Sequence, residues 1–519
     1  MWLINTETLK LESVVNPETV EYAILSHTWE EEEVSFQEFQ DLRFARTKKG
    51  FGKIKKTCRL AKKHGYQYAW VDTCCIDKSS SAELSEAINS MFRWYKGAKR
   101  CYAYLSDYRQ TTVDSSFANC RWFTRGWTLQ ELIAPASLTF YNRYWDALGS
   151  KRELSRIVSD ITSIDEVVLL GQRDINTVRV VYRMSWAAGR KTTRPEDIAY
   201  CLFGIFDINL PMLYGEGTKA FLRLQEEICQ QVHDLTIFAW KTDTDEGRRG
   251  IFADSPEEFA YASYGGYLYT LNSGDVRVSN RGVIFDDMEL IDVKGQGLFM
   301  PFNFFGAIPG SAEYTPGGIF LKKTPDGYVR VKTDQLYQTG LDGRWLPPEQ
   351  INVISRGFAA TNQPLMVYIS TSDATTICNV CPRRQWDPYT EAFMGARRGM
   401  VGFDVSLGNG QSYPLMVLFF LPLSHNPVLR HDIVDSRWHN WSNALANTGK
   451  ADVSLSWVEV LSGHFFKEGT TNQGEGTWLY PTPDPSITVR VNVAKVERGW
   501  RMWLSLSHDY SSRRSVYSY

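Results

Sequence analysis

Cysteine is scarce in this sequence. Nine cysteines in 519 residues are too few, and too odd in number, for a disulfide scaffold. Cys378 and Cys381 have the spacing of half a zinc site, but the sequence offers no second pair, so we predict no metal. A reducing, cytoplasmic location fits this pattern best. Six cysteines fall in apolar runs, where a free thiol packs as a small apolar side chain: Cys58, Cys74, Cys75, Cys101, Cys201 and Cys229.

Long apolar runs and an excess of one charge are also absent. The longest apolar run, Tyr413–Leu423, is too short to cross a bilayer. The polar stretch Asn5–Lys10 stands where a secretory signal would have its apolar segment, so we expect no such signal. A formal net charge of −2 argues against general nucleic-acid binding, which needs clustered Lys and Arg. The sequence contains no phosphate-binding glycine loop of the P-loop type.

The composition is that of a globular protein, with 43% hydrophobic and 22% charged residues. A domain usually takes about 100–200 residues, so this length suits two or three domains. We predict an α/β core over residues 1–150, a helical extension over residues 151–240, and a β-rich domain over residues 251–519. The polar stretch Lys241–Gly250 is the predicted boundary before the last of these.

Short apolar runs alternate with amphipathic helices in the first 150 residues. Ile54, Cys58 and Ala61 fall on one helical stripe, and a second helix follows the capping pair Ser80 and Glu83. The alternation predicts right-handed βαβ crossovers and a parallel sheet, with the ligand crevice at the carboxyl ends of the strands. The predicted strands are Tyr22–Ser26, Tyr68–Asp72, Cys101–Leu105 and Leu138–Tyr141.

Polar side chains follow two of these strands and are predicted to meet at one rim of the sheet. Ser26, His27 and Trp29 end or follow the first strand, and Asp72 and Asp77 end or follow the second. His27 either hydrogen-bonds a substrate or satisfies a neighbouring carbonyl group. Asp72 and Asp77 either cap backbone N–H groups of the loop or contact a substrate.

The stretch Arg125–Leu132 (RGWTLQEL) places one tryptophan and one carboxylate four residues apart. In a helix, Trp127 and Glu131 would share a face, so that an aromatic ring stands beside a single acid. The alternative is a helix that buries Trp127 with Leu129 and leaves Glu131 in solvent. Arg125 is a further candidate for contact with a substrate.

Three blocks of the sequence resemble the signature blocks of the fungal heterokaryon-incompatibility (HET) domain. They are YAILSHTW, YAWVDTCCIDK and RGWTLQEL, and they occur in the order that the family has. A downstream block, from RMSWAAGRKTTRPEDIAY to FLRLQEEI, also resembles this family, so the likeness covers about residues 20–240. The resemblance implies a cytoplasmic effector of programmed cell death in non-self recognition, a form of fungal innate immunity.

HET domains are in turn similar to Toll/interleukin-1 receptor (TIR) domains, which have a flavodoxin-like sheet. NAD-cleaving TIR domains carry a catalytic glutamate in a WxxxE helix, and Trp127 and Glu131 match that motif. Ser26 and His27 match the loop after the first strand, and Asp72 matches an acid at the end of the second. The resemblance implies a TIR-like fold, self-association and NAD⁺ as substrate rather than cofactor.

The chemistry of this reaction explains why one carboxylate is enough. Cleavage of the bond between ribose and nicotinamide passes through an oxocarbenium-like state, and nicotinamide leaves as a neutral molecule. No general acid is needed, and one ionised carboxylate can stabilise the developing positive charge. We predict Glu131 as this catalytic group, with Trp127 or Trp29 as an aromatic face for the substrate. The alternative is a non-enzymatic assembly module that triggers cell death through partners.

Beyond residue 250 the sequence has strand patterns separated by Gly, Pro and Asn turns. We predict a β-sandwich or two small β units. No catalytic group of residues emerges there, so we expect a sensor or regulatory role, such as the recognition of a protein trigger. The clearest strand patterns are Val276–Val278, Gly282–Phe285, Val329–Val331, Met366–Ile369 and Ile487–Val493.

Overall fold

The computed structural model divides into two compact units. The first is Met1–Met288 with Met300–Ile319 and Lys332–Leu341, and the second is Glu289–Phe299 with Phe320–Val331 and Asp342–Tyr519. The residues that the structure describes are 1–262, 274–307, 314–324, 327–336, 343–355, 366–370, 375–381, 386–387, 392–394, 398–406, 412–420, 430–434, 472–473, 476–481, 487–496 and 499–508.

The first unit contains a mixed sheet with the strand order β2-β1-β4-β3-β5-β6-β7. The four central strands β4, β3, β5 and β6 are parallel, which confirms the predicted parallel arrangement. Three flanking strands that we did not predict pair antiparallel at the two edges. The strands are β1 (Trp2–Asn5), β2 (Leu11–Ser13), β3 (Tyr22–His27), β4 (Tyr68–Trp70), β5 (Arg100–Tyr104), β6 (Leu138–Tyr141) and β7 (Ala147–Ser150).

Helices connect these strands and form the extension after β7. The predicted cap is present, because the Ser80 side chain accepts a hydrogen bond from the backbone N–H of Glu83. Gly65 has φ +89° directly after His64, the C-cap of the helix Phe51–Lys63, as a terminating glycine should. The helices are α1 (Phe36–Phe39), α2 (Leu42–Ala45), α3 (Phe51–Lys63), α4 (Ser81–Gly97), α5 (Arg121–Thr124), α6 (Thr128–Ile133), α7 (Ser155–Thr162), α8 (Glu166–Leu169), α9 (Val180–Ser185), α10 (Asp197–Tyr200), α11 (Phe203–Phe206) and α12 (Lys219–Gln231).

All six residues of β3 are buried, as expected of a central strand covered on both faces. Short 3₁₀ turns complete the first unit at Pro17–Thr19, Ser115–Asn119, Ile175–Thr177, Leu235–Phe238 and Pro256–Phe259. None of the helices in the described part of the chain is long and apolar enough to cross a membrane.

The polar stretch Lys241–Gly250 lies inside the first unit and not between the two units. The backbone N–H of Lys241 donates to the Glu258 carbonyl at 2.9 Å, and that of Thr242 donates to the Thr333 carbonyl at 3.0 Å. Arg249 forms ion pairs with Glu246, Asp254 and Glu258. The polar residues of Lys241–Gly250 therefore belong to a segment that hydrogen bonds and ion pairs hold within the first unit.

The described residues between 276 and 508 are rich in strands, as predicted. One sheet of the second unit has the order β18-β19-β16-β26-β25-β24, and another has the order β17-β20-β21-β22-β23. Packing of these sheets as a sandwich stays a prediction. The strands are β8 (Val276–Ser279), β9 (Gly282–Met288), β10 (Ile291–Val293), β11 (Gly297–Ala307), β12 (Tyr314–Thr324), β13 (Gly327–Val331), β14 (Gly343–Trp345), β15 (Glu349–Val353), β16 (Met366–Ser370), β17 (Thr375–Cys381), β18 (Trp386–Asp387), β19 (Ala392–Met394), β20 (Arg398–Ser406), β21 (Ser412–Phe420), β22 (Arg430–Val434), β23 (Asn472–Gln473), β24 (Gly476–Pro481), β25 (Ile487–Val496) and β26 (Gly499–His508).

A glycine allows α11 to pack closely against α4. A Cβ atom added at Gly204 would lie 2.1 Å from the Cβ of Phe92. A change of rotamer cannot relieve this overlap, because the Cβ position of Phe92 is fixed by the backbone. We predict that Gly204→Ala destabilises the first unit by about 1–3 kcal/mol through overpacking.

Gly52 is the matched control, because it lies in α3 with nothing within 4 Å of an added Cβ. Gly52→Ala should leave stability unchanged or slightly raised, since alanine is the better helix former. Midpoints of urea unfolding measure both effects. An unchanged midpoint for Gly204→Ala would contradict the packing described for α11.

Candidate functional site

A cavity of about 270 Å³ lies at the carboxyl ends of β3 and β4. Its apolar wall is the face of α4 that carries Leu84, Ile88 and Met91. Its polar residues come from the strand ends, from α6 and from the loop before α10. Of the eight predicted site residues, six line this cavity: His27, Trp29, Asp72, Arg125, Trp127 and Glu131.

The Glu131 carboxyl lies at the buried end of the site, with a residue exposure of 4%. The Ser26 hydroxyl donates to Glu131 Oε2 at 2.5 Å, and Trp122 Nε1 donates to the same hydroxyl oxygen at 2.8 Å. The Tyr95 hydroxyl lies beside this carboxyl and donates to the Leu25 carbonyl at 2.9 Å. Ser26, which is fully buried, therefore holds Glu131 from below instead of lining the cavity itself.

Burial controls the ionisation of Glu131. Loss of water raises its pKa to about 8, and the nearby Asp72 carboxyl adds to the shift. The pKa of Glu131 is lowered, against this shift, by the Ser26 hydrogen bond, the neighbouring Tyr95 hydroxyl and the charge of Arg125. Because the result lies above neutral pH, the free site holds Glu131 mainly in its protonated form at pH 7. A pKa shifted in this way is common at functional sites.

The WxxxE stretch is helical, as both sequence interpretations predict. Helix α6 begins at Thr128, and Trp127 precedes it with helical φ and ψ of −62° and −34°. Both Trp127 and Glu131 line the cavity, and Glu131 is not left in solvent. The Trp127 side chain lies near Asp197, and this interaction opposes the rise that burial causes in the pKa of Asp197.

Gly126 lets the chain around Lys191 pack directly against the start of α6. The Gly126 N–H donates to the Lys191 carbonyl at 3.0 Å, and the Lys191 N–H donates to the Thr124 carbonyl at 2.6 Å. A Cβ atom at Gly126 would lie 2.6 Å from Thr192 Cγ2. Buried Arg190 strengthens the same junction by donating to the Arg125 carbonyl at 2.9 Å. The residues after Lys191 are thereby brought to the cavity.

His27 is buried and neutral. Burial, together with the nearby charges of Lys53 and Lys78, holds the pKa of His27 well below its usual range. Within the described part of the chain, neither ring nitrogen has a hydrogen-bond partner. His27 Nδ1 lies 3.7 Å from Asp72 Oδ1. The ring does not bind a neighbouring carbonyl group, which was one of its two predicted roles.

Asp72 and Trp29 form one side of the cavity mouth. Trp29 Nε1 donates to Asp72 Oδ2 at 2.7 Å, while 48% of the Trp29 side chain remains exposed. The Lys78 ammonium lies over the Trp29 ring, 3.7 Å from its centre. Burial raises the pKa of Asp72, although the nearby Lys78 charge and the Trp29 bond lower it. A cation, an aromatic ring and a carboxyl group thus stand in contact at the mouth.

Asp77 does not line the cavity. Its carboxylate accepts hydrogen bonds from the Ser79 hydroxyl at 2.6 Å and from Gln37 Nε2 at 2.5 Å. These bonds, with that from the Ser79 N–H, lower the pKa of Asp77. It therefore has the loop-capping arrangement that sequence offered as one of two roles. Across the described residues, no group of three or more His, Cys, Asp and Glu side chains could hold a metal ion.

The opposite wall contains residues that sequence reasoning did not select. Thr193, Arg194 and Asp197 precede or begin α10, and Tyr214 lies in the turn before α12. The Tyr214 hydroxyl donates to Asp197 Oδ1 at 3.0 Å, and the Arg194 guanidinium lies 4.3 Å from the Tyr214 ring centre. Burial raises the pKa of Asp197. The available signal was the cluster TTRPED, in which two threonines, one basic residue and two acidic residues surround one proline.

The site therefore has a chemical gradient from its buried end to its mouth. A single acid of raised pKa and a neutral histidine lie inside, whereas Lys78, Arg125 and Arg194 lie toward solvent. Aromatic rings stand on both sides. Such a site can hold a ligand that has a hydrogen-bonding or cationic part inside and an anionic part at the mouth.

Comparisons with known proteins agree with this organisation. The family model described as heterokaryon incompatibility protein (HET) matches residues 22–121, which include β3, β4 and β5. A domain of unknown function (DUF8212) matches residues 219–260, across the predicted boundary at Lys241–Gly250. The HET match ends before Arg125, Trp127 and Glu131.

The chain is also similar to a curated protein, vegetative incompatibility protein HET-E-1 of Podospora anserina. The two are 50% identical over 316 residues, which cover 57% of this chain and 22% of that protein. The chain thus spans about a fifth of the length of this relative. No solved structure matches the chain. The family match and this similarity confirm the resemblance seen in the sequence blocks, and residues 22–121 in the N-terminal part of the chain match the HET family.

Proposed function

We propose that the cavity cleaves NAD⁺ into nicotinamide and ADP-ribose, and that the chain acts as a cytoplasmic cell-death effector in heterokaryon incompatibility. The observation that carries the proposal is the buried Glu131 carboxyl, which Ser26 holds at the inner end of a cavity with aromatic walls. Similarity to a vegetative incompatibility protein supports the cellular role.

The order of the parallel strands supports a TIR-like fold for the core. Counting only the parallel strands along the chain, their order β4-β3-β5-β6 is 2-1-3-4, as in flavodoxin-like sheets. In such sheets a ligand binds where the strand order reverses, outside the carboxyl ends of the strands. The order reverses between β3 and β5, and the cavity lies beside His27 at the carboxyl end of β3, one of these two strands.

In the proposed reaction, the nicotinamide ring and its ribose enter the inner part of the cavity. The cationic ring favours the ionised form of Glu131, which lowers the raised pKa of the carboxyl on binding. As the bond from ribose to nitrogen breaks, its electron pair leaves with neutral nicotinamide, and the carboxylate stabilises the oxocarbenium-like ribose. Water then adds to the ribose and releases one proton. Neutral His27 can hydrogen-bond a ribose hydroxyl, and Trp127 offers a ring face.

Glu131→Gln removes the charge and little volume, so we predict a loss of about 100- to 1000-fold in nicotinamide release. The assay incubates purified full-length protein with NAD⁺ and separates free nicotinamide by chromatography. Glu86→Gln, on the exposed face of α4, is the matched control and should retain full activity. Cleavage by the wild type with no loss in Glu131→Gln would remove Glu131 from the mechanism. Undiminished cell killing by Glu131→Gln would favour a non-enzymatic assembly module.

The pH dependence of the reaction gives a separate prediction. Because burial raises the pKa of Glu131 to about 8, kcat/KM for NAD⁺ should rise about tenfold per pH unit below that value and then level off. The kcat profile should bend at a lower pH, since the bound cationic ring favours the carboxylate. A kcat/KM that is flat between pH 6 and pH 9 would contradict a mechanism in which ionised Glu131 acts.

The same shift predicts an effect on stability that requires no substrate. A folded-state pKa of about 8 against an ordinary 4.5 means that protonated Glu131 stabilises the fold below pH 4.5. That stability is lost as the pH rises toward 8, at a cost on the order of 4 kcal/mol. The melting temperature of Glu131→Gln should therefore exceed that of the wild type by a margin that grows from pH 5 to pH 8. A margin that is constant with pH would show that Glu131 ionises normally.

A further inference from the structure

Two guanidinium groups line the cavity without a carboxylate partner. Within the described ranges, neither Arg125 nor Arg194 forms an ion pair, whereas Arg121, Arg223 and Arg249 in the same unit each do. Both arginines stand at the outer part of the cavity, where Arg125 is half-buried and Arg194 is exposed. Their hydrogen-bonding edges are therefore available to an anionic ligand.

The fold holds these two groups in place. Both Nη atoms of Arg125 lie 3.4 Å from the Thr193 hydroxyl oxygen, a long contact that a stronger acceptor can replace. The Arg194 guanidinium rests on the Tyr214 ring, which leaves the N–H groups at its edge free for other partners. The backbone pairing of Arg125 with Lys191 fixes the loop that carries Thr193 and Arg194 against the start of α6.

The electrostatics of the cavity favour an anion at this place. Arg125, Arg194 and Lys78 give three positive charges among the lining residues. The three acids that also line it are Asp72, Glu131 and Asp197, and burial raises the pKa of each. Of these three acids, Glu131 has a pKa of about 8 and is mainly neutral at pH 7, so three cations face the Asp72 and Asp197 carboxyls and the net field attracts anions.

We propose that Arg125 and Arg194, with the Thr193 hydroxyl, form a phosphate subsite at the cavity mouth. Planar guanidinium groups bind phosphate through two parallel N–H contacts, which fixes both distance and orientation. The inference rests on the proposed NAD⁺ cleavage for the identity of the inner group, and it narrows the substrate class. The enzyme recognises a nicotinamide riboside that carries a 5′-phosphate.

The size of the cavity indicates which part of a dinucleotide is bound. About 270 Å³ is below the roughly 300–1,000 Å³ of pockets that enclose drug-sized ligands. The cavity suits nicotinamide, its ribose and the adjoining phosphate, with the adenosine half of NAD⁺ outside. Nicotinamide mononucleotide, which lacks that half, should therefore be cleaved with kcat/KM within about tenfold of that for NAD⁺.

The test compares three substrates on full-length protein: NAD⁺, nicotinamide mononucleotide and nicotinamide riboside. For the wild type, kcat/KM should be about 10- to 100-fold higher for the mononucleotide than for the riboside. Arg194→Gln should lower kcat/KM for the mononucleotide far more than for the riboside and so remove most of this preference, and Arg194→Lys should restore part of it. Arg156→Gln, an exposed arginine on α7, is the matched control and should behave as the wild type does.

The outcomes separate the subsite from the proposed reaction. Equal kcat/KM for mononucleotide and riboside in the wild type would overturn the subsite and leave NAD⁺ cleavage standing. If no substrate is cleaved, the proposed reaction fails, and calorimetric titration of full-length protein with inorganic pyrophosphate then decides on the subsite. Saturable binding that Arg194→Gln abolishes and Arg156→Gln retains supports the subsite. Absence of saturable binding, or binding that Arg194→Gln leaves intact, overturns it.

Discussion

The burial of one carboxyl group governs the arrangement of the N-terminal unit. A carboxyl removed from water costs free energy unless it is hydrogen-bonded, and the Ser26 hydroxyl provides such a bond to Glu131. Ser26 can serve only because β3 ends beside α6, so the parallel sheet and the helix must keep their relative position. The helix is held at both ends for the same reason. Arg190 donates to the Arg125 carbonyl before it, and buried Lys151 donates to the Leu132 and Pro135 carbonyls after it, at 2.9 and 2.6 Å.

Aromatic packing below the site offsets the free-energy cost of burying the polar groups of the site. Trp122, whose indole N–H orients Ser26, meets Phe123 and Phe140 edge to face, with ring centres 5.2 and 5.5 Å apart. Phe117 continues this cluster and is fully buried. Aromatic pairs of this kind are each worth about 0.5–1.5 kcal/mol beyond their buried area. This aromatic packing thus supports a carboxyl group that stays protonated at neutral pH, which it would not do in water. Functional sites commonly hold such groups at the expense of stability.

The sequence predicted local structure better than it predicted the far wall of the site. Strands such as Leu138–Tyr141 have continuous apolar runs, and α4 has a clear helical period with a Ser80 cap, so both followed from local chemistry. The flanking strands β1, β2 and β7 are only three or four residues long, which is too short to show a periodic pattern in the sequence. Asp197 and Tyr214 reach the cavity only because Gly126 permits a close backbone approach some 65 residues away in the chain. Local sequence contains no sign of that contact. In the same way, the polar composition of Lys241–Gly250 contains no sign of the ion pairs that Arg249 forms.

Direct observation of the ionisation of Glu131 is the closest test of its burial and of its proposed catalytic role. Infrared difference spectra between the wild type and Glu131→Gln isolate the carboxyl band of this one residue as the pH is varied. We expect the protonated band of free protein to disappear with a midpoint near pH 8, and this midpoint to fall when a non-cleavable NAD⁺ analogue is bound. A midpoint near the ordinary value of 4.5, unchanged by the analogue, would contradict both the burial of Glu131 and its proposed role in stabilising positive charge.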